Sequence, residues 1–237
     1  MYKNYFGILL VLLMISQTSF AQYGTKNGFD KNHNFGVSVA YGKNAFMVSP
    51  SWTQYWGFGK YKNIRLGYGV RLNNFSGTDC VYTPAPPKHV ADGSEILVAD
   101  AQTNNIAITA NIKGRFKEKI DAGFNIELFG IGYGGKKTAT YTPSEAALAN
   151  NPSVTGGDVE VKPQLGSLLL IGDRDIGMLN SELYAGYWFT PKLNIRLGLS
   201  YVFSEYKTTE TIHFDNNRFR AKVAMPFVGL SFSPSRN

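Results

Sequence analysis

The chain has 237 residues, of which 43% are hydrophobic and 17% charged, and its formal charge is +7 at pH 7. A lone cysteine, Cys80, excludes an internal disulfide, and no Cys/His spacing suits a metal centre. Lys and Arg are scattered singly rather than gathered in a basic run, which argues against a nucleic-acid partner.

In chain order, the first element is a leader. Lys3 precedes the apolar run from Phe6 to Ile15, and Ser19 and Ala21 take the −3 and −1 positions of a cleavage site after Ala21. The run is about half the ~20 residues a spanning helix needs, so residues 1–21 read as a signal peptide. Residue 22 is Gln rather than Cys, which argues against a lipoprotein anchor. Residues 22–33 are expected as a periplasmic N-terminal segment, and residues 34–237 as one barrel.

From Phe35 onward the chain alternates with period two, the signature of half-buried strands. Phe35, Val37, Val39 and Tyr41 share a face; after a Gly42-Lys43-Asn44 turn, Phe46, Val48, Trp52 and Trp56 continue it. Ile64, Leu66, Tyr68, Val70 and Leu72 alternate with Arg65, Gly67, Gly69, Arg71 and Asn73. Ile106, Ile108, Ala110 and Ile112 oppose Ala107, Thr109, Asn111 and Lys113, and Ile120 to Leu128 oppose Asp121, Gly123, Asn125 and Glu127. Leu183 to Phe189 alternate with Glu182, Tyr184, Gly186 and Trp188; Leu193 to Phe203 alternate with Asn194, Arg196, Gly198 and Ser200. A last strand sets Phe219, Ala221 and Val223 against Arg220 and Lys222, with a phase slip expected at Pro226, where proline cannot donate to a ladder.

Three features turn the apolar face outward, toward lipid. The other face is rich in small residues that suit a narrow lumen. Trp52, Tyr55, Trp56, Phe58 and Tyr61, and again Tyr187, Trp188 and Phe189, gather at strand ends as an interfacial girdle does. Connections alternate between short (60–62, 117–119, 190–192) and long, the long ones read as extracellular loops at 74–102, 135–179 and 206–217. The fold class is therefore all-β, a transmembrane antiparallel up-and-down β-barrel of eight strands. Ten strands, or a soluble lipocalin-like barrel, are the alternatives. The apolar run 165–171 fits a loop poorly and is the reason for the ten-strand alternative. Residues 143–149 are expected to form one short helix capped by Ser144.

At these strands the chain resembles the small outer-membrane barrel proteins of the OmpX, OmpA-barrel and OmpW type. The likeness is one of pattern over nearly all of the mature chain rather than of a diagnostic motif. It implies the cell outer membrane of a Gram-negative envelope, contact with outer-membrane lipid and lipopolysaccharide, and assembly by the outer-membrane insertion machinery. It also implies a last strand ending on an aromatic, a place Phe232 fills with five residues following it.

An eight-stranded barrel is filled by its own side chains. The expected lumen charge network is Arg65, Arg71, Lys113, Arg196, Arg220 and Lys222 against Asp121, Glu127 and Glu182. Unpaired charges away from water are costly, which favours mutual neutralisation over a conducting path. A lipid A-modifying hydrolase would need a Ser–His–acid set. His33, His89 and His213 have no nucleophilic Ser at a strand spacing, so no enzyme is expected. Asp173 and Asp175 lack a calcium-loop pattern, so no metal and no cofactor are expected either. The expected role is a monomeric, non-enzymatic outer-membrane barrel with a filled lumen, serving envelope structure, surface interaction or adhesion. The alternative is a narrow OmpW-like, porin-like transporter of small hydrophobic solutes.

Overall fold

A computed structural model of the chain describes residues 30–58, 63–85, 93–117, 119–150, 155–170, 174–212 and 216–234. The signal peptide, most of segment 22–33, His89, His213 and Asp173 lie outside the described residues. The elements are β1 (Asp30–Tyr41), β2 (Ala45–Phe58), β3 (Ile64–Pro84), β4 (Glu95–Phe116), β5 (Ile120–Tyr133), β6 (Lys137–Thr142), the short helix α1 (Glu145–Asn150), β7 (Gly157–Pro163), β8 (Gly166–Leu168), β9 (Leu179–Trp188), β10 (Leu193–Thr208) and β11 (Arg218–Phe232). The first strand thus begins at Asp30, inside the segment expected to precede the barrel.

Eight strands close into one antiparallel ring, in the order β1, β2, β3, β4, β5, β9, β10, β11 and back to β1. Closure leaves this ring without a free edge. Its outer face is apolar: Ile64, Leu66, Ile112, Phe129, Leu183, Leu197, Leu199 and Leu230 are all exposed. Its inner face is polar, with Arg65, Arg71, Asn73, Asn105, Glu127, Asn180 and Glu182 each buried. This is a membrane barrel's inversion of the soluble pattern, and it disposes of both the ten-stranded and the lipocalin-like alternatives.

A spanning strand needs about 9–11 residues. With 21 and 22 residues, β3 and β4 are about twice that length and rise beyond the apolar band. There the wall is rebuilt. The β1–β2 hairpin stops at residues 42–44, so β11 pairs directly with β3 (Phe219↔Pro84, Arg220↔Thr83). On the far side β6 and β7 take over from β5 and β9, joining β4 (Ile96↔Tyr141) to β10 (Tyr206↔Pro163). The result is a second closed ring of six strands, β3, β4, β6, β7, β10 and β11. It is filled by Tyr82, Ile96, Val98, Tyr141, Val161, Tyr206 and Phe219, all essentially inaccessible.

Several expectations change here. Segment 74–102 is mostly strand rather than loop, with only 85–94 outside β3 and β4. Polar residues hid it, together with a face switch: the inward set runs Phe75, Gly77, then Cys80, Tyr82 on β3, and Ala101, then Val98, Ile96 on β4. The switch falls at Asp79, which holds a left-handed φ of 49°. Likewise 135–179 supplies β6, α1, β7 and β8, with Ser144 Oγ accepting from Ala147 N at 3.1 Å as the helix cap. Part of the apolar run at 165–171 forms β8, which pairs with β5 (Phe129↔Leu168) and turns Leu168 outward and Ser167 inward. No phase slip occurs at Pro226: Phe219, Ala221, Met225, Phe227 and Ser231 all face inward. The register break is on β5 instead, where Ile108 pairs Phe129 while Thr109 pairs Glu127, leaving Leu128 as the extra residue of a bulge.

Candidate functional site

The lumen of the eight-stranded ring holds two stacked charge groups. In the middle, Arg71 on β3 donates from Nη2 to Glu182 Oε2 on β9 at 2.7 Å, and its Nη1 lies 3.5 Å from Glu127 Oε1 on β5. Glu182 also accepts from Ser38 Oγ and from Asn125 Nδ2, both at 3.0 Å. Glu127 accepts from Asn73 Nδ2 at 2.7 Å, Asn105 Nδ2 at 3.3 Å and the Asn180 backbone N–H at 3.0 Å. Ser49 Oγ donates to Asn73 Oδ1 at 2.7 Å and brings β2 into the same network. Six strands are thus tied across the lumen, and two buried carboxylates receive several donors each, which is what a buried charge requires.

Toward the short-turn end, Asp121 on β5 accepts from Trp188 Nε1 at 2.7 Å and faces Lys113 Nζ at 3.7 Å and Arg115 Nε at 3.5 Å. Lys113 Nζ sits 3.9 Å above the Tyr55 ring, and the Arg196 guanidinium carbon lies 5.3 Å from the Tyr184 ring. Such cation–π seats spread charge where water is excluded. Arg65 is buried at the same end, in register with Lys113.

Of the nine residues expected in the network, Arg65, Arg71, Lys113, Asp121, Glu127, Glu182 and Arg196 line the lumen. Two do not. Lys222 is exposed on the outer face, because β11 keeps its odd-numbered residues inward throughout. Arg220 is buried, but on the outer side of β10–β11. There it donates to Glu205 Oε1 from Nε (2.9 Å) and Nη2 (2.7 Å), and to the Asp175 carbonyl. Arg218 joins through Nη2–Glu205 Oε1 at 2.8 Å, and Gly177 N donates to Glu205 Oε2 at 2.8 Å. This second cluster fastens residues 175–177 against the base of the six-stranded ring. Alternation alone misassigned Arg220 because the apolar face it opposes is turned into the upper core, not toward lipid.

Sequence reasoning missed Arg115, Glu205 and the asparagines at 73, 105 and 180 as network members. Asn73 was legible as an inward position, but nothing local marks which carboxylate each of the three will reach. Above the network, Tyr206 Oη accepts from Gln102 N (2.8 Å) and donates to Gln102 O (2.9 Å), while the Tyr82 and Tyr206 rings meet edge to face at 5.2 Å. His33 stacks on Trp52 at 5.9 Å on the outer face. Asp175 Oδ1 accepts from Leu170 N at 2.7 Å, so it closes a turn. Among the described residues no group of His, Cys, Asp and Glu could hold a metal ion.

The architecture defines an outer-membrane-type β-barrel protein. No protein-family model matches the chain, and no curated protein matches it. Among solved structures it is similar to neisserial surface protein A, at 11% identity over 87% of this chain and 99% of that one, with a TM-score of 0.38. It is also similar to Ail, the attachment invasion locus protein of Yersinia pestis, at 8% identity over 86% and 98%, with a TM-score of 0.36. A major outer membrane protein of Thermus thermophilus matches at 10% identity over 86% and 98%, with a TM-score of 0.38. The barrel assignment rests on the closed ring and its two faces described above.

Proposed function

We propose that the chain is a monomeric, non-enzymatic barrel of the cell outer membrane, with a filled lumen and a role in envelope structure, surface interaction or adhesion. Its partners in this reading are outer-membrane lipid and lipopolysaccharide, and the insertion machinery during assembly. One observation carries the filled lumen: the Arg71–Glu127–Glu182 network bridges opposite walls, and the apolar core of the six-stranded ring sits directly above it. A narrow transporter would need a continuous wet path, and ion pairs below with packed tyrosines above oppose one.

Reconstitution in planar bilayers tests this, alongside fractionation of cells. The expected result is outer-membrane recovery with currents at background. Steady wild-type channels, shifted in selectivity by Glu127→Gln, would favour the transporter instead.

A further inference from the structure

Above the lipid-facing wall, one flank of the barrel's outer surface turns basic. On β10, Leu197, Leu199 and Tyr201 are exposed on the outer face, and that face continues upward through Phe203 and Glu205 to Lys207. Lys207 stands directly opposite Lys162 of β7 on one side and Arg218 of β11 on the other. Residues opposite one another in antiparallel strands share a face with Cβ atoms about 5 Å apart, and like charges so placed are destabilising. Three cations therefore form one row across three neighbouring strands, Lys162 exposed and Lys207 and Arg218 half-buried. The opposite flank differs: residues 74–84 of β3 and 95–112 of β4 contain no Lys or Arg.

The acids that share this outer face of β7 and β10 are turned to other groups. Asp158 accepts from Thr140 Oγ1 at 3.3 Å, and Glu160 accepts from Lys136 Nζ at 2.7 Å and Thr209 Oγ1 at 3.0 Å. Glu205, below the row, takes Arg220 and also fixes Arg218 in its place. The height of the row is set by the strand. A spanning strand of about 9–11 residues that starts at Leu193 ends near Phe203. Lys207 is then roughly 10 Å higher on a strand tilted by ~40°. Long basic side chains bridge such a height back to the headgroup layer.

We propose that this row docks the phosphate groups of an outer-leaflet glycolipid, with Lys162 and Lys207 as its contacts and Arg218 as the member fixed by Glu205. The inference rests on the outer-membrane reading above and adds to it a place on the barrel. A lipid phosphate is favoured over a soluble anion because the row continues a wall that lipid already covers. The headgroup is therefore delivered beside it, and each basic residue near an anionic lipid surface adds to binding.

A competition assay tests this, with the full mature chain in phosphatidylcholine nanodiscs and fluorescent bisphosphorylated lipid A as the probe. Unlabelled bisphosphorylated lipid A should displace the probe about tenfold better than the same lipid stripped of its phosphates. Lys162→Gln/Lys207→Gln should lose that preference, whereas Lys117→Gln/Lys119→Gln, at the short-turn end, should keep it. Equal displacement by the two lipids from wild type would overturn the proposal, as would an unchanged preference in Lys162→Gln/Lys207→Gln. Displacement by millimolar inorganic phosphate would assign the row to a free anion instead, and displacement by a sulfated polysaccharide to a soluble partner. If the lysine variant does not fold, the wild-type comparison of the two lipids still decides. Cell fractionation separates the two readings: recovery as a soluble protein defeats the outer-membrane reading, while outer-membrane recovery without a phosphate preference defeats only this site.

Discussion

Arg71 and Glu182 meet at 2.7 Å in the centre of the barrel, one from β3 and the other from β9, 111 residues apart in sequence. Both side chains are buried, and Glu182 is held from two further strands by Ser38 and Asn125. Glu182→Gln removes the charge and leaves Arg71 short of its closest partner. Breaking a buried pair costs about 3–5 kcal/mol. Urea unfolding followed by tryptophan fluorescence in lipid vesicles should show a loss of that order; a change under about 1 kcal/mol would mean that water reaches the pair.

The lipid face gives a second test. Leu66 and Leu197 are exposed on the outer wall, so Leu66→Arg or Leu197→Arg puts a charge into hydrocarbon. Near the midplane that costs roughly 2–4 kcal/mol.

Gly67 faces the lumen where Tyr55 packs closely. A Cβ there would lie 2.5 Å from the Gln54 carbonyl oxygen and 2.7 Å from Tyr55 Cδ1. Gly67→Ala must move backbone or ring, and overpacking of this kind costs about 1–3 kcal/mol. At Gly135, where a Cβ would meet nothing within 4 Å, the same substitution should be close to neutral.

Tyr206 clamps both backbone groups of Gln102 with one hydroxyl. Tyr206→Phe keeps the ring packing against Tyr82 but strands those groups, for a loss of about 1–3 kcal/mol. Tyr206→Ala also opens a cavity in the upper core, at a cost of about 3–5 kcal/mol. Amide exchange at β3, β4 and β10 above Asp79 should accelerate in Tyr206→Ala before exchange in the eight-stranded ring does.

Cys80 lies in that upper core with 7% exposure. A maleimide should label it slowly in the folded protein and rapidly after heat denaturation. Fast labelling of native protein would show that the six-stranded ring opens.

Much of the membrane-level wall is determined by the sequence itself. Period-two alternation with apolar residues against Gly, Ser, Asn and single charges places Leu66, Ile112, Leu197 outside and Arg71, Glu127, Glu182 inside, because strand geometry turns every second side chain to the opposite face. The upper ring was not legible. Its inner face is apolar, like the lipid face below, so one hydrophobicity pattern carries opposite meanings in two storeys of the same strand. Phe219 and Ala221 read as lipid-facing, and Arg220 as luminal, until the pairing of β11 with β3 set the wall they belong to. Only tertiary structure decided that eight strands give way to six, that Glu205 collects Arg218 and Arg220 on the outside, and that Lys162, Lys207 and Arg218 fall in one row across β7, β10 and β11. Each depends on which strands become neighbours, a long-range choice made by closing the ring, and no local stretch of sequence encodes it.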